Sequence, residues 1–174
     1  LFESARLGFR NWEKTDYTPF LKLNTDPEVM RFFPRLHEAT DTLALMERMQ
    51  NMYRERGHCY FAVDRKSDGQ FIGFIGLCYQ AYEASFTPGV DIGWRLDKTY
   101  WGKGYATEGA QRCLSFGFED LGLEKIFAVA PQINQASINV MRKIGMQKIL
   151  NFKHPKLMDY PKLEDCVCYE IRPA

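Results

Sequence analysis

The sequence carries almost no net charge and no long apolar run. Lys and Arg number 23 and Asp and Glu 22, a balance of +1. There is therefore no bulk field to draw in nucleic acid or an anionic membrane surface. No stretch approaches the roughly 18 apolar residues that mark a membrane span. The cysteines, Cys59, Cys78, Cys113, Cys166 and Cys168, are odd in number and form no CxxC pair or zinc-type spacing. Their apolar flanks read as buried free thiols, which fits a reducing, cytoplasmic setting. The only histidines, His37, His58 and His154, stand apart, so no metal site is expected. The first ten residues are not a basic stretch followed by an apolar one, so no leader peptide is expected. Internal repeats and Pro/Gly/Ser-rich linkers are also missing. These absences leave one domain over residues 1–174, with no nucleic acid or membrane as partner and with either a monomer or a homodimer allowed.

What is present is a globular composition: 45% apolar, 26% charged and 14% aromatic. A chain of this length buries roughly 70% of its unfolded surface, enough for a core without staples. Residues 5–10 alternate weakly and read as a first strand. Asp16 to Leu23 reads as a short helix, and a longer one runs from a cap at Thr40 or Asp41 to about Arg56, where Gly57 stops it. Its Met46, Met49 and Met52 are read as core. Strand-like runs follow at 59–63, 71–79 and 90–96, the first two joined by a hairpin turn at Ser67, Asp68 and Gly69. In the third, Val90, Ile92, Trp94 and Leu96 share one face, and Asp91, Gly93 and Arg95 share the other.

The period then changes. Ala106, Ala110, Cys113, Leu114, Gly117, Phe118 and Leu121 fall on one helical face, and Gly122 closes the helix. A short strand at 126–130, a helix at 135–144 ended by Gly145, and two strands near 146–152 and 165–172 complete the chain. The expected fold is mixed α/β, with about seven strands and about four helices.

The informative segment is Trp101, Gly102, Lys103, Gly104, Tyr105, Ala106, Thr107 and Glu108, between a strand and a strong amphipathic helix. A helix start offers free N–H groups and a partial positive charge, and glycines let the backbone approach a ligand closely. That combination suits a phosphate group. Alone, it also reads as a loop that simply needs small residues. No Walker-type string is present. Thr107 stands where a dinucleotide fingerprint needs its third glycine.

Three segments together resemble the GNAT superfamily of acyl-CoA-dependent N-acetyltransferases: Asp91-Ile-Gly-Trp-Arg-Leu96, Trp101-Gly-Lys-Gly-Tyr-Ala-Thr-Glu108, and Asn134-Gln-Ala-Ser137 through Lys143-Ile-Gly-Met146. With Ala5-Arg6-Leu7-Gly8-Phe9-Arg10-Asn11-Trp12, the pattern is most similar to the branch of ribosomal-protein N-terminal acetyltransferases, the Rim-type enzymes. The resemblance implies a sheet that opens as a V between the strands at 90–96 and 125–130. Acetyl-CoA enters as co-substrate. Its pantetheine pairs with Trp94 and Leu96, and its pyrophosphate rests on the amides of Gly102, Lys103, Gly104, Tyr105, Ala106 and Thr107. Trp101 replaces the family's Gln/Arg.

Acetyl transfer to an amine needs a neutral amine, an oxyanion donor and a proton for the departing thiolate. A backbone N–H near Gly93–Arg95, at a bulge expected in the V, is the oxyanion candidate. By the resemblance, Asn134 anchors the pantetheine arm. Met141 stands where many family members place a proton-donating Tyr, and Ser137 takes that role in the Rim-type arrangement; the plainer reading is a helix-start residue. Asp91 is the carboxylate candidate for the amine, directly or through a water, against a plain reading as a solvated strand residue. Glu108 competes but lies in the first turn of its helix, where a dipole role suits it. The expected reaction is transfer from acetyl-CoA to a protein N-terminal α-amine or a small-molecule amine. A non-catalytic acyl-CoA sensor is the alternative that the missing Tyr leaves open.

Overall fold

Apolar residues at alternate positions start the sheet. In the computed structural model, which describes residues 1–173, Leu7 and Phe9 point into the core from strand β2 (Leu7–Arg10). Ahead of it lies a two-residue strand, β1 (Phe2–Glu3), too short to register as a periodic pattern. It forms because the Phe2 ring stacks on Phe9 and Phe116, with centroids 4.6 Å away in each case. This strand raises the count from the expected seven to eight.

The sheet order is β1-β2-β3-β4-β5-β6-β8-β7, with β3 Tyr60–Arg65, β4 Gln70–Gln80, β5 Gly89–Leu96, β6 Ile126–Pro131, β7 Gln147–Lys153 and β8 Asp165–Ile171. All neighbours are antiparallel except β5 and β6. Four α-helices accompany it: α1 Tyr17–Asn24, α2 Ala39–Arg56, α3 Tyr105–Ser115 and α4 Gln135–Lys143. The cap of α2 is Glu38, not Thr40 or Asp41. Asp41 serves as the third residue of a capping box, its carboxylate accepting from the Glu38 N–H at 2.9 Å. Gly57 ends α2 in the left-handed region, as the sequence predicts.

Strand parity decides which helix covers which face. Ile75, Leu7 and Phe9 lie under α3, so close that a Cβ at Gly109 would sit 2.3 Å from Ile75 Cδ1. Phe74, on the opposite face, packs its ring against Trp12 and against Phe20 of α1. Farther along that face, Met52 of α2 meets Cys78. The five cysteines are all buried and unpaired, and Met46 and Met49 are core residues.

The β5–β6 junction is where the sheet parts. These parallel strands share a single registered pair, Asp91 with Phe127. Beyond it they diverge, as expected. The expected bulge, however, is absent: β5 pairs with β4 without a register shift from Gly89 to Leu96. The opening arises from the departure of β6, while continuous pairing with β4 holds β5 straight.

Candidate active site

The gap between β5 and β6 widens into a cleft of about 600 Å³. Its walls come from β5, the end of β6, the start of α3, one face of α4 and the loop through Arg31–Phe33. Along β5 the register fixes which backbone groups face it. Asp97 N–H donates to Ile72 O at 2.9 Å. Alternation then turns the groups of Arg95, Gly93 and Asp91 toward β4, and those of Ile92, Trp94 and Leu96 toward the departing β6. The Trp94 N–H, rather than one at a bulge, is a donor on the open edge. One acceptor there is taken: Trp101 donates its indole N–H to Leu96 O at 2.9 Å.

The loop before α3 ends in two left-handed glycines, Gly102 (φ 72°) and Gly104 (φ 80°). An added Cβ would meet nothing within 4 Å at Gly102 and only the Arg6 guanidinium, at 3.4 Å, at Gly104. Backbone conformation, not crowding, is what demands glycine here. The first amide of α3 to find a helical acceptor is Glu108, which donates to Gly104 O at 3.0 Å. Among the described residues, no acceptor takes the amides of 102–107. Gly102, Gly104, Tyr105, Ala106 and Thr107 all line the cleft. Lys103 does not: its Nζ turns to Thr99 O at 2.9 Å and its carbonyl accepts from Arg6. Glu108 is also turned elsewhere. It accepts from Ser4 Oγ, Arg6 N and Arg6 Nε at 2.6–2.8 Å, fastening α3 to the first strands.

Asn134 and Ser137 face the cleft from the start of α4. Asn134 caps the helix, its Oδ1 accepting from the Ser137 N–H at 3.2 Å. The cap is therefore Asn134, and the Ser137 hydroxyl has no hydrogen-bond partner among the described residues. Met141, one turn further on, is buried and belongs to the core.

Asp91 lies at the root of the V. It shares a face with Gly93 and Arg95, as the alternation predicts, but that face is partly covered rather than freely solvated. Tyr60 of β3 donates its hydroxyl to Asp91 Oδ1 at 2.7 Å, and Gln80 of β4 donates to Oδ2 at 3.0 Å. Burial pushes the Asp91 carboxyl up to about 7, although both hydrogen bonds pull in the other direction. Its ordinary value near 3.8 would make it a poor base; here it titrates near neutrality. Tyr60 stacks on Phe74, centroids 5.0 Å apart, and closes over Gly93, where a Cβ would lie 2.9 Å from its ring. Arg95, on the same face, is only 7% exposed. Tyr60, Gln80 and Arg95 carry no sequence signal for a site: the first reads as core, the second as a strand end and the third as a polar face.

Residues 6–147 match the acetyltransferase (GNAT) domain family, and the chain belongs to that family of acyltransferases. Enzymes of this kind use acetyl-CoA. Among relatives, the uncharacterized N-acetyltransferase YnaD of Bacillus subtilis is 31% identical over 151 residues, covering 86% of this chain and 84% of its own. A GNAT-family acetyltransferase structure from Bacillus anthracis superposes with a TM-score of 0.80 at 27% identity, covering 98% and 96% of the two chains. Two more distant structures share the fold. RimL, a ribosomal α-N-protein acetyltransferase solved with CoA, has a TM-score of 0.77 at 16% identity, with 97% and 95% covered. Spermidine N-acetyltransferase from Vibrio cholerae, solved with CoA and spermine, has 0.75 at 19%, with 97% and 96% covered. The Rim-type branch is thus one of several that share this architecture.

Proposed function

We propose that the cleft transfers an acetyl group from acetyl-CoA to a primary amine, a peptide α-amine or a small-molecule amine, by direct attack with both substrates bound. The observation that carries this is the run of uncommitted amides at 102–107, opening beside a strand edge whose Trp94 groups pair with nothing among the described residues. The amides suit a diphosphate, and the edge suits an extended amide chain such as pantetheine, which would add to β5 as a strand does.

In this reading Trp94 N–H donates to the acetyl oxygen as negative charge grows on it. Asp91 takes the proton from the incoming ammonium, directly or through a water. A carboxyl titrating at about 7 is half deprotonated at neutral pH, and is far better matched to that task than an ordinary aspartate. Tyr60 and Gln80 hold its oxygens and orient it. Ser137, whose hydroxyl is otherwise unengaged, donates a proton to the departing thiolate. Asn134 positions Ser137 by capping α4, and its side-chain N–H₂ is left to the pantetheine arm. Buried Met141 has no proton to give.

The test is release of free thiol from acetyl-CoA with a panel of peptides and amines, with products identified by mass. Acetylated amine with stoichiometric thiol is the expected result. Tight acetyl-CoA binding with no product from any amine would favour the sensor reading instead.

A further inference from the structure

Arg95 is a buried cation with no counter-charge among the described residues. Its Nη1 donates to Asn24 Oδ1 at 2.7 Å, and Asn24 in turn is held by Thr42. Its Nε has no partner among the described residues. The rest of the guanidinium lies between the rings of Phe33, 4.2 Å from its centroid, and Phe74, 5.2 Å from its centroid. Arg10 provides the contrast: it is less enclosed, yet Asp16 and Asp64 share it. Among the described residues no carboxylate does so for Arg95, and burial lowers its pKa to about 9. The other orphaned buried polar atom, His37 Nδ1, belongs to an imidazole held toward its neutral form by burial and by the positive charge of Arg95. Arg48 of α2 lies near enough for its positive charge to act on both Asp91 and Arg95.

An isolated buried charge is costly unless something pairs with it. Arg95 lines the cleft, on the same strand face as Asp91. The two are four residues apart, a span of about 13 Å between backbones that the long side chain shortens. We infer that the acceptor is an amine carrying a carboxylate on the same molecule, the amine placed at Asp91 and the carboxylate paired with Arg95. A fork of N–H donors fits a planar carboxylate, and the vacant Nε edge supplies one arm of that fork. The same wall disfavours a polyamine, one of whose further cations would face Arg95. This inference rests on the acetyl-transfer reading for the role of Asp91, but not for the binding of the carboxylate.

Matched acceptors test it. The pairs are 6-aminohexanoate with hexylamine, and the tripeptide amide Ala-Glu-Ala with Ala-Gln-Ala; spermidine is added as a polycation. The wild-type protein is expected to favour the carboxylate member by about tenfold in kcat/KM, the size of one charge-assisted pair. The preference should collapse to about one in Arg95→Met and be partly restored in Arg95→Lys. A peptide pair that discriminates while the small pair does not assigns the carboxylate to a peptide side chain; the reverse assigns it to a small amino acid. Equal use of both members by the wild type overturns the inference. So does a preference that survives Arg95→Met, or a defect confined to acetyl-CoA affinity, which would place Arg95 on the nucleotide. If no amine is acetylated, thermal shift decides. Stabilisation by 6-aminohexanoate but not hexylamine, lost in Arg95→Met, supports the carboxylate site, whereas no stabilisation by either rejects it. Should Arg95→Met fail to fold, the comparison of matched acceptors on the wild-type protein still decides the matter.

Discussion

Replacing Tyr60 with Phe isolates the control of the Asp91 carboxyl. The ring keeps its stack on Phe74, and only the hydroxyl that donates to Asp91 Oδ1 at 2.7 Å is lost. That bond favours the charged carboxylate, so its removal raises the pKa further. A hydrogen bond to a charged group contributes about 1.5–3 kcal/mol. Gln80 still serves the second oxygen, so the lower figure applies. At about 1.36 kcal/mol per pKa unit, the acid limb of the kcat/KM profile moves alkaline by about one pH unit. The wild-type limb is centred near 7. At that pH the variant is about fivefold slower, because roughly a tenth of its Asp91 is ionised instead of half. Above about pH 9 the two rates converge. The assay is initial-rate thiol release from about pH 5.5 to 9.5, repeated with acceptors whose own amines titrate differently. A limb that stays fixed on Tyr60→Phe, or that follows the amine's pKa and ignores the variant, would refute the assignment of Asp91 as base.

Three further outcomes are expected. Ser137→Ala leaves the α4 cap intact, because Asn134 bonds the backbone N–H of residue 137. It should lower kcat by about a hundredfold with little change in acetyl-CoA affinity; unchanged turnover at saturation removes Ser137 from the thiol side. Gly104→Val forces a β-branched residue to φ 80°, against a left-handed penalty of about 1–2 kcal/mol or more. CoA affinity measured by calorimetry should fall at least tenfold in a variant that retains its far-ultraviolet spectrum, and unchanged affinity would exclude the amide cradle. Asp91→Asn should remove a pH dependence of stability. The folded value of about 7 lies above the unfolded 3.8, so the folded protein holds the extra proton between them. The neutral carboxyl's contribution is therefore complete below 3.8 and is lost as pH rises through 7. The Tm difference between wild type and variant, followed from about pH 4 to 8.5, should shift steadily against the wild type across that window; a constant difference would mean that Asp91 titrates normally.

The linear chain determined most of the secondary structure and the glycine turn that opens onto the cleft. Period-two alternation at 90–96, the helical stripe from Ala106 and the paired glycines are local signals, and each concerns backbone conformation within a few residues. That glycine is needed at 102 and 104 was legible for that reason, and the structure shows the need to be a left-handed φ. Tertiary structure decided everything that depends on what covers a side chain. Asp91 and Arg95 were visible on one face, but whether that face met water or other parts of the protein rested on Tyr60, Gln80, Asn24 and Phe33, some of them dozens of residues away. A carboxyl's proton affinity and a guanidinium's need for a partner are set by desolvation and by neighbours in space, and no spacing in the sequence records them. The straight β5 likewise followed from its unbroken pairing with β4, a long-range register that local pattern does not specify.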